Sequence, residues 1–247
     1  GFGRTTQVYG IGHEIVKEFH KSGWEVFTLA RTPFSEVCPW AEGIVKHIEV
    51  DLSDAQSIAA ATTALHDRLE GRGLNALINN AGVARMGRMH EITDEDIDAI
   101  IDINVKGVMY LSRAAIPELL KTKGNIVNIS SVSGLGGDWG MPIYNASKGA
   151  VSNLTRAMAL ELGHKGVRVN CICPSLTRSD MTAGLTSNEH ALKAVANRMP
   201  LGRAAEPEEI AGPTAFLASD DAVFVTGVNL PVDGGVTASN GQPNFFG

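Results

Sequence analysis

The sequence predicts an α/β chain: a parallel sheet flanked by helices, in a single domain covering residues 1–247. Three observations carry this. Apolar, β-rich runs alternate with helical patterns along the chain, the rhythm of strand–helix–strand crossovers. Most of the runs are short and almost wholly apolar, as strands buried on both faces are. No Pro/Ser linker, repeat or low-complexity tract divides the sequence.

Candidate strands cover 24–29, 44–50, 74–78, 125–129, 167–173 and 223–232, with helices near 12–22, 54–70, 93–120, 145–163 and 207–218. Ile15, Val16 and Phe19 turn inward on the first helix. Thr93 can cap the third, with Asp94, Glu95 and Asp96 in its first turn, where the helix dipole favours acids. Pro207 opens the last helix without wasting a backbone donor, and Glu208 and Glu209 follow it. Residues 182–206 are the least regular and read as a substrate lid.

Composition excludes several classes. The net charge is −6, from 21 Lys and Arg against 27 Asp and Glu, which argues against nucleic acid as a partner. No apolar run reaches the ~18 residues of a membrane helix, and the charged-then-apolar layout of a signal peptide is missing. Three cysteines are too few for a disulfide framework, so a reducing, cytoplasmic setting is expected. Cys171 and Cys173 share one strand face without a second pair to complete a metal site, and buried apolar use is expected. The sequon-like triplets at Asn128, Asn145 and Asn153 fall in a strand and a helix and read as coincidence; no metal is expected.

The chemistry concentrates around Tyr144 and Lys148, four residues apart at the start of a helix and so on one face. A phenol titrates near pH 10, and a nearby ammonium favours its phenolate, tuning it for proton transfer to a carbonyl oxygen. Ser131 follows the apolar strand 125–129, where open α/β sheets bind ligands. Asn79-Asn80-Ala81-Gly82 follow the strand 74–78, and Asn104 sits among Ile100, Ile101, Ile103, Val105 and Val108, as a satisfied core amide or as a functional group.

Asn79-Asn80-Ala81-Gly82, Asn104, Ser131, Tyr144 with Lys148, Pro174 and Val232-Asp233-Gly234-Gly235 resemble the classical short-chain dehydrogenase/reductase family, in its order and with its spacing. The resemblance implies a doubly wound Rossmann fold, commonly a seven-stranded sheet, and a homotetramer. It implies a tetrad. Tyr144 is the general acid or base, Ser131 positions and polarises the substrate oxygen, Lys148 binds the nicotinamide ribose and lowers the Tyr144 pKa, and Asn104 holds a water of the proton relay. Hydride moves between the nicotinamide and a carbonyl carbon.

The segments Ser131 to Gly140, Cys173-Pro174-Ser175-Leu176, 201–209 and Pro231 to Gly235, with the Gly241-Gln242-Pro243 tail, are similar to 2,3-butanediol dehydrogenases and acetoin (diacetyl) reductases. That implies a small vicinal diol or hydroxyketone, held by Ser131, Trp139, Met141 and Ile143; alternatively this loop packs between subunits. The rival readings are a 3-oxoacyl-thioester or sugar reductase and a non-catalytic dinucleotide-binding scaffold. The scaffold would have no use for Tyr144 and Lys148.

The resemblance places cofactor contacts at Thr5, Gly10, Ile11, Gly12, Asp51, Leu52, Asn79, Ala81, Gly82, Tyr144, Lys148, Pro174, Thr177, Ser179 and Met181, and the local chemistry adds Arg31. The glycine fingerprint is incomplete, because Thr6 stands where its first glycine belongs; in another register residues 5–9 form the strand. Either way the first strand is short or atypical. Asp51 and Leu52 match the adenine contact, and a helix cap near Ser53 or Asp54 is the competing use. Ser175 and Ser179 replace the family's Gly and Thr after Pro174. The strand 24–29 ends in Leu29-Ala30-Arg31-Thr32, with no acid for a ribose 2′-OH and a guanidinium suited to a 2′-phosphate. That points to NADP. The butanediol-type enzymes mostly carry an acid here and use NAD; the local chemistry is given the greater weight.

Overall fold

The computed structural model describes residues 10–242. Thr5, the candidate strand 5–9 and the 243–247 tail lie outside that range. The first described element is helix α1 (Ile11–Lys21), with Gly10 at its N-cap and Ile15 and Phe19 buried.

Strands β1 (Phe27–Ala30) and β2 (Lys46–Glu49) pair in parallel, Leu29 opposite Ile48. Between them lies the short helix α2 (Phe34–Val37). Helix α3 (Ala55–Leu69) is capped by Asp54, whose carboxylate accepts from the Gln56 N–H at 2.9 Å; neither Asp51 nor Ser53 is the cap. Strand β3 (Ala76–Asn79) opens a second parallel sheet with β4 (Asn125–Ile129), β5 (Arg168–Pro174) and β6 (Asn229–Val232), in that order. Ile126 is flanked by Leu77 and Val169, and Ile172 lies opposite Leu230. Every strand pair is parallel, so within each sheet the carboxyl ends share one edge.

Six strands are therefore found among the described residues, against the seven the resemblance implies. β1 and β3 do not pair with each other. Their neighbourhood borders a cavity of about 800 Å³, lined by Thr28, Leu29, Leu77 and Ile78 with Ile15 and Phe19. The sheet edges also differ from the sequence boundaries by a few residues. The largest difference is at the last strand, where a 3-10 turn (Asp220–Ala222) and Gly227 at φ +77° delay pairing until Asn229.

Helix α4 (Asp94–Ile101) begins at Thr93, whose hydroxyl accepts from the Asp96 N–H at 3.2 Å, as the sequence predicts. It does not run unbroken to residue 120. A π-helical turn (Asp102–Gly107) intervenes before α5 (Val108–Thr122), and Asn104 sits buried inside it. Such turns widen the helix to place a side chain, and they recur at functional sites. Helix α6 (Pro142–Leu162) starts before the expected residue 145, so Tyr144 lies in its first turn. Residues 182–206 are more regular than the sequence suggests and contain α7 (Ala183–Thr186) and α8 (Glu189–Arg198). The far end of this segment is tied to the chain that precedes it: the Arg178 N–H donates to the Ala205 carbonyl at 2.8 Å and the Ala205 N–H to that of Leu176 at 3.0 Å. Helix α9 (Glu208–Ala218) follows, with Pro207 at its N-cap rather than its first turn.

The core splits by face. Val127, Ile129 and Ile172 pack with Ile15 and Phe19 of α1 and Ile210 and Leu217 of α9. Ile126, Val167 and Val169 pack on the other side with Leu119 of α5 and Met158 and Leu162 of α6. Strand residues alternate between the two helix layers, and a parallel sheet stays dry that way. Cys171 and Cys173 are fully buried in β5 with their sulfurs 3.9 Å apart, the apolar use expected of them. No helix among the described residues is long and apolar enough to cross a membrane.

Candidate active site

Above the carboxyl ends of the strands lies a cleft of about 470 Å³, within the range of small-ligand sites. Fourteen of the sixteen expected cofactor residues line it: Gly10, Ile11 and Gly12 from the start of α1, Arg31 after β1, Asp51 and Leu52 after β2, Ala81 and Gly82 after β3, Tyr144 and Lys148 from α6, and Pro174, Thr177, Ser179 and Met181 after β5. Asn79 does not. Its amide is turned into the sheet, donating to Ser112 Oγ at 3.1 Å and Asn128 Oδ1 at 2.8 Å. Thr5 lies outside the described residues.

The cleft fits an extended, phosphate-bearing dinucleotide. A Cβ on Gly12 would stand 2.5 Å from Asn80 Nδ2, and one on Gly82 would stand 3.2 Å from Lys148 Nζ and 3.3 Å from Asn104 Oδ1, so the wall is built for bare backbone. Gly10 and Gly12 open α1, and a helix N-terminus favours a pyrophosphate. Asp51 accepts from the Ser53 N–H at 2.9 Å and its hydroxyl at 2.6 Å, bonds that hold its carboxyl below the usual range, with a smaller pull from the Arg31 charge.

Ser131, Tyr144 and Lys148 meet at one end of the cleft. Lys148 is buried and donates from Nζ to the Ile129 carbonyl at 2.8 Å; its ammonium stands 5.7 Å from the Tyr144 ring centre. Burial pulls the lysine down to about 8. The Tyr144 phenol is pushed up, not down: burial dominates, a hydrogen bond with Ser131 opposes it, and the Asp138 charge adds to it. The lowering expected from Lys148 is not what sets the phenol: the lysine donates to a backbone carbonyl and is itself desolvated.

Asn104 does not line the cleft. Its Oδ1 accepts from the Val83 N–H at 2.8 Å, and its Nδ2 donates to the Val83 carbonyl at 2.8 Å and to Ser147 Oγ at 3.1 Å. The side chain thus ties the segment after β3 to α6, as a satisfied buried amide. Of the four expected substrate residues, only Ser131 lines the cleft. Ile143 is buried, whereas Trp139 is 98% exposed. The terminal Asp233 closes a turn, accepting from the Gly235 and Thr237 N–H groups at 2.9 and 2.8 Å, and its carbonyl takes the Ser175 hydroxyl at 3.0 Å. Sequence reasoning missed Ser133 and Asp138. The Ser131 hydroxyl donates to Ser133 Oγ at 3.0 Å, and the Ser133 hydroxyl to the Asp138 carboxylate.

Residues 6–237 match the family model described as enoyl-(acyl carrier protein) reductase. Over 204 residues the chain is 50% identical to a meso-2,3-butanediol dehydrogenase of Serratia marcescens, covering 83% of this chain and 80% of that one. It is 34% identical to the 3-oxoacyl-[acyl-carrier-protein] reductase FabG of Thermotoga maritima, over 92% and 93% of the two chains. A gluconate 5-dehydrogenase of Burkholderia cenocepacia J2315, solved with NADP and tartrate, superposes with a TM-score of 0.85 at 27% identity, over 93% and 92%. With these matches spanning nearly the whole chain, and with the cleft built as described, the protein belongs to the short-chain dehydrogenase/reductase family of NAD(P)-dependent oxidoreductases.

Proposed function

We propose that the protein interconverts a small vicinal diol and its hydroxyketone, or a hydroxyketone and a diketone, with NADP(H) as the redox partner. The observation that carries the reading is the meeting of Ser131, Tyr144 and Lys148 at one end of a glycine-walled cleft. The 50% identity to a butanediol dehydrogenase supports the substrate class, and Arg31 at the cleft edge supports NADP over NAD.

The bound cofactor supplies hydride in reduction and accepts it in oxidation. This chain's residues handle the proton and the geometry. Gly10, Ile11 and Gly12 would hold the pyrophosphate and Arg31 the 2′-phosphate, with Ala81, Gly82, Thr177, Ser179 and Met181 lining the rest of the cleft. Tyr144 gives its proton to the carbonyl oxygen in reduction and takes it back in oxidation. Its raised pKa keeps it a proton donor at neutral pH. The Ser131 hydroxyl fixes the same oxygen. Lys148 sets the tyrosine's surroundings and a hydrogen-bond donor for the cofactor ribose. Asn104 acts by holding Val83 and Ser147 in place, which keeps the cofactor wall and the tyrosine helix in register. Segment 182–206, anchored at Ala205 to residues 176 and 178, is the cover of the substrate end.

Calorimetric titration with NADPH and NADH, followed by turnover of diacetyl and acetoin, tests the reading. Tighter NADPH binding with turnover of either compound supports it. Tight cofactor binding with turnover of 3-oxoacyl thioesters alone would replace the substrate class.

A further inference from the structure

The loop between Ser131 and Tyr144 carries a hydrogen-bonded chain that the tetrad does not use. Ser131 Oγ is joined to Ser133 in two ways: it accepts the Ser133 N–H at 3.1 Å and donates to Ser133 Oγ at 3.0 Å. The Ser133 hydroxyl donates in turn to Oδ2 of Asp138. Asp138 is also held from behind, its carbonyl accepting from Asn145 Nδ2 at 3.1 Å, one residue after the tyrosine. The loop tip is pinned too, because the Gly140 carbonyl accepts the Gly87 N–H at 2.9 Å.

A carboxylate is therefore fixed two hydrogen bonds away from the hydroxyl that faces the reacting oxygen. Ser133 donates to one of its oxygens, and the residue is exposed toward solvent. The charged groups lining the cleft are Arg31, Asp51, Lys148 and Asp180. Arg31 stands beside Asp51, away from the tyrosine, and Lys148 is buried in the wall against the Ile129 carbonyl. Among the described residues Asp180 is the acid lining the cleft toward Ser179 and Met181, and Asp138 stands just behind the lining, joined to Ser131 through Ser133.

We infer that Asp138 is a specificity-determining residue: its fixed carboxylate accepts a hydroxyl next to the reacting carbon and repels substrates that bring a carboxylate of their own. This rests on the proposed diol and hydroxyketone reading and adds its selector. An ionised carboxylate only accepts hydrogen bonds, so it rewards a neighbouring hydroxyl over a neighbouring hydrogen or carbonyl. It opposes an anion through Coulomb repulsion across a partly solvated gap.

The test compares kcat/KM for acetoin, 2-butanone and acetoacetate in wild type, Asp138→Asn and Ser133→Ala, each first checked for NADPH binding. Ratios between substrates cancel any general loss of activity. In Asp138→Asn the acetoacetate to 2-butanone ratio is expected to rise about tenfold. The acetoin to 2-butanone ratio is expected to fall by about three- to tenfold. Ser133→Ala, which frees the carboxylate without removing its charge, lowers the acetoin preference and keeps most of the anion exclusion. Raising the salt concentration on the wild type alone raises the acetoacetate ratio, since an exposed charge is screened. Both ratios unchanged within twofold in Asp138→Asn, or an acetoacetate ratio indifferent to salt, would overturn the inference. A wild type that reduces 2-butanone but not acetoin would overturn the diol reading, while the acetoacetate ratio still decides the role of Asp138.

Discussion

Asn104 grips the backbone of Val83 from both sides, accepting its N–H at 2.8 Å and donating to its carbonyl at 2.8 Å. A carboxamide mirrors the donor and acceptor of a peptide unit, which neither a carboxylate nor an alkyl chain does. Asn104→Asp puts an acceptor against the Val83 carbonyl in a buried place. The expected cost is about 2–3 kcal/mol of stability, read by denaturant titration, with weaker NADPH binding because the segment after β3 loosens. An Asn104→Asp protein as stable as wild type would remove the grip from the account.

Lys148 makes a signed prediction in pH. Burial takes its pKa from 10.5 to about 8, so between those values the unfolded chain binds the extra proton. Stability from this group therefore rises with pH across about 8 to 10.5 and is constant below. Cofactor binding runs the other way, because the ammonium that serves the ribose is lost above about 8. Calorimetry should show NADPH affinity level from pH 6.5 and falling above about 8, and Lys148→Met weak and level throughout. A level wild-type profile to pH 9.5 would contradict this.

Arg31 follows β1 at the cleft edge with no acid beside it on that strand end. Arg31→Asp should weaken NADPH binding by about tenfold or more and improve NADH, since the substitution exchanges a phosphate partner for a hydroxyl partner. The ratio of the two dissociation constants is the readout. An unchanged ratio would return the choice of cofactor to NAD.

Two glycines of the serine loop make opposite predictions. A Cβ on Gly134 would lie 2.6 Å from the Lys148 carbonyl oxygen and 2.6 Å from Ser130 Oγ, whereas one on Gly136 meets nothing within 4 Å. Gly134→Ala should cost about 3 kcal/mol, as overpacking against backbone does. Gly136→Ala should stay within about 0.5 kcal/mol of wild type. Thermal melts of the pair check both.

Much of this site is legible in the sequence because it depends on spacing. Tyr144 and Lys148 share a face by helical period, and Ser131 reaches the cleft by ending an apolar strand. The π-helical turn around Asn104 is not legible, because one extra residue in a helix barely alters its apolar pattern. Trp139, which the resemblance puts in the substrate pocket, is exposed, and nothing in the local sequence pattern reports which way a loop side chain turns. Asp138 is hidden for the opposite reason: it lies in a polar turn, and only the folded loop brings it to Ser133. The short last strand reflects turn geometry at Gly227 that apolar runs do not report.

The measurement closest to the central claim is NADPH oxidation with acetoin or diacetyl, wild type against Tyr144→Phe. Removing one oxygen leaves the glycine-walled cleft intact, so the variant should bind NADPH as wild type does and lose about 10²–10⁴ in kcat. Equal turnover by the two proteins would contradict proton transfer through Tyr144.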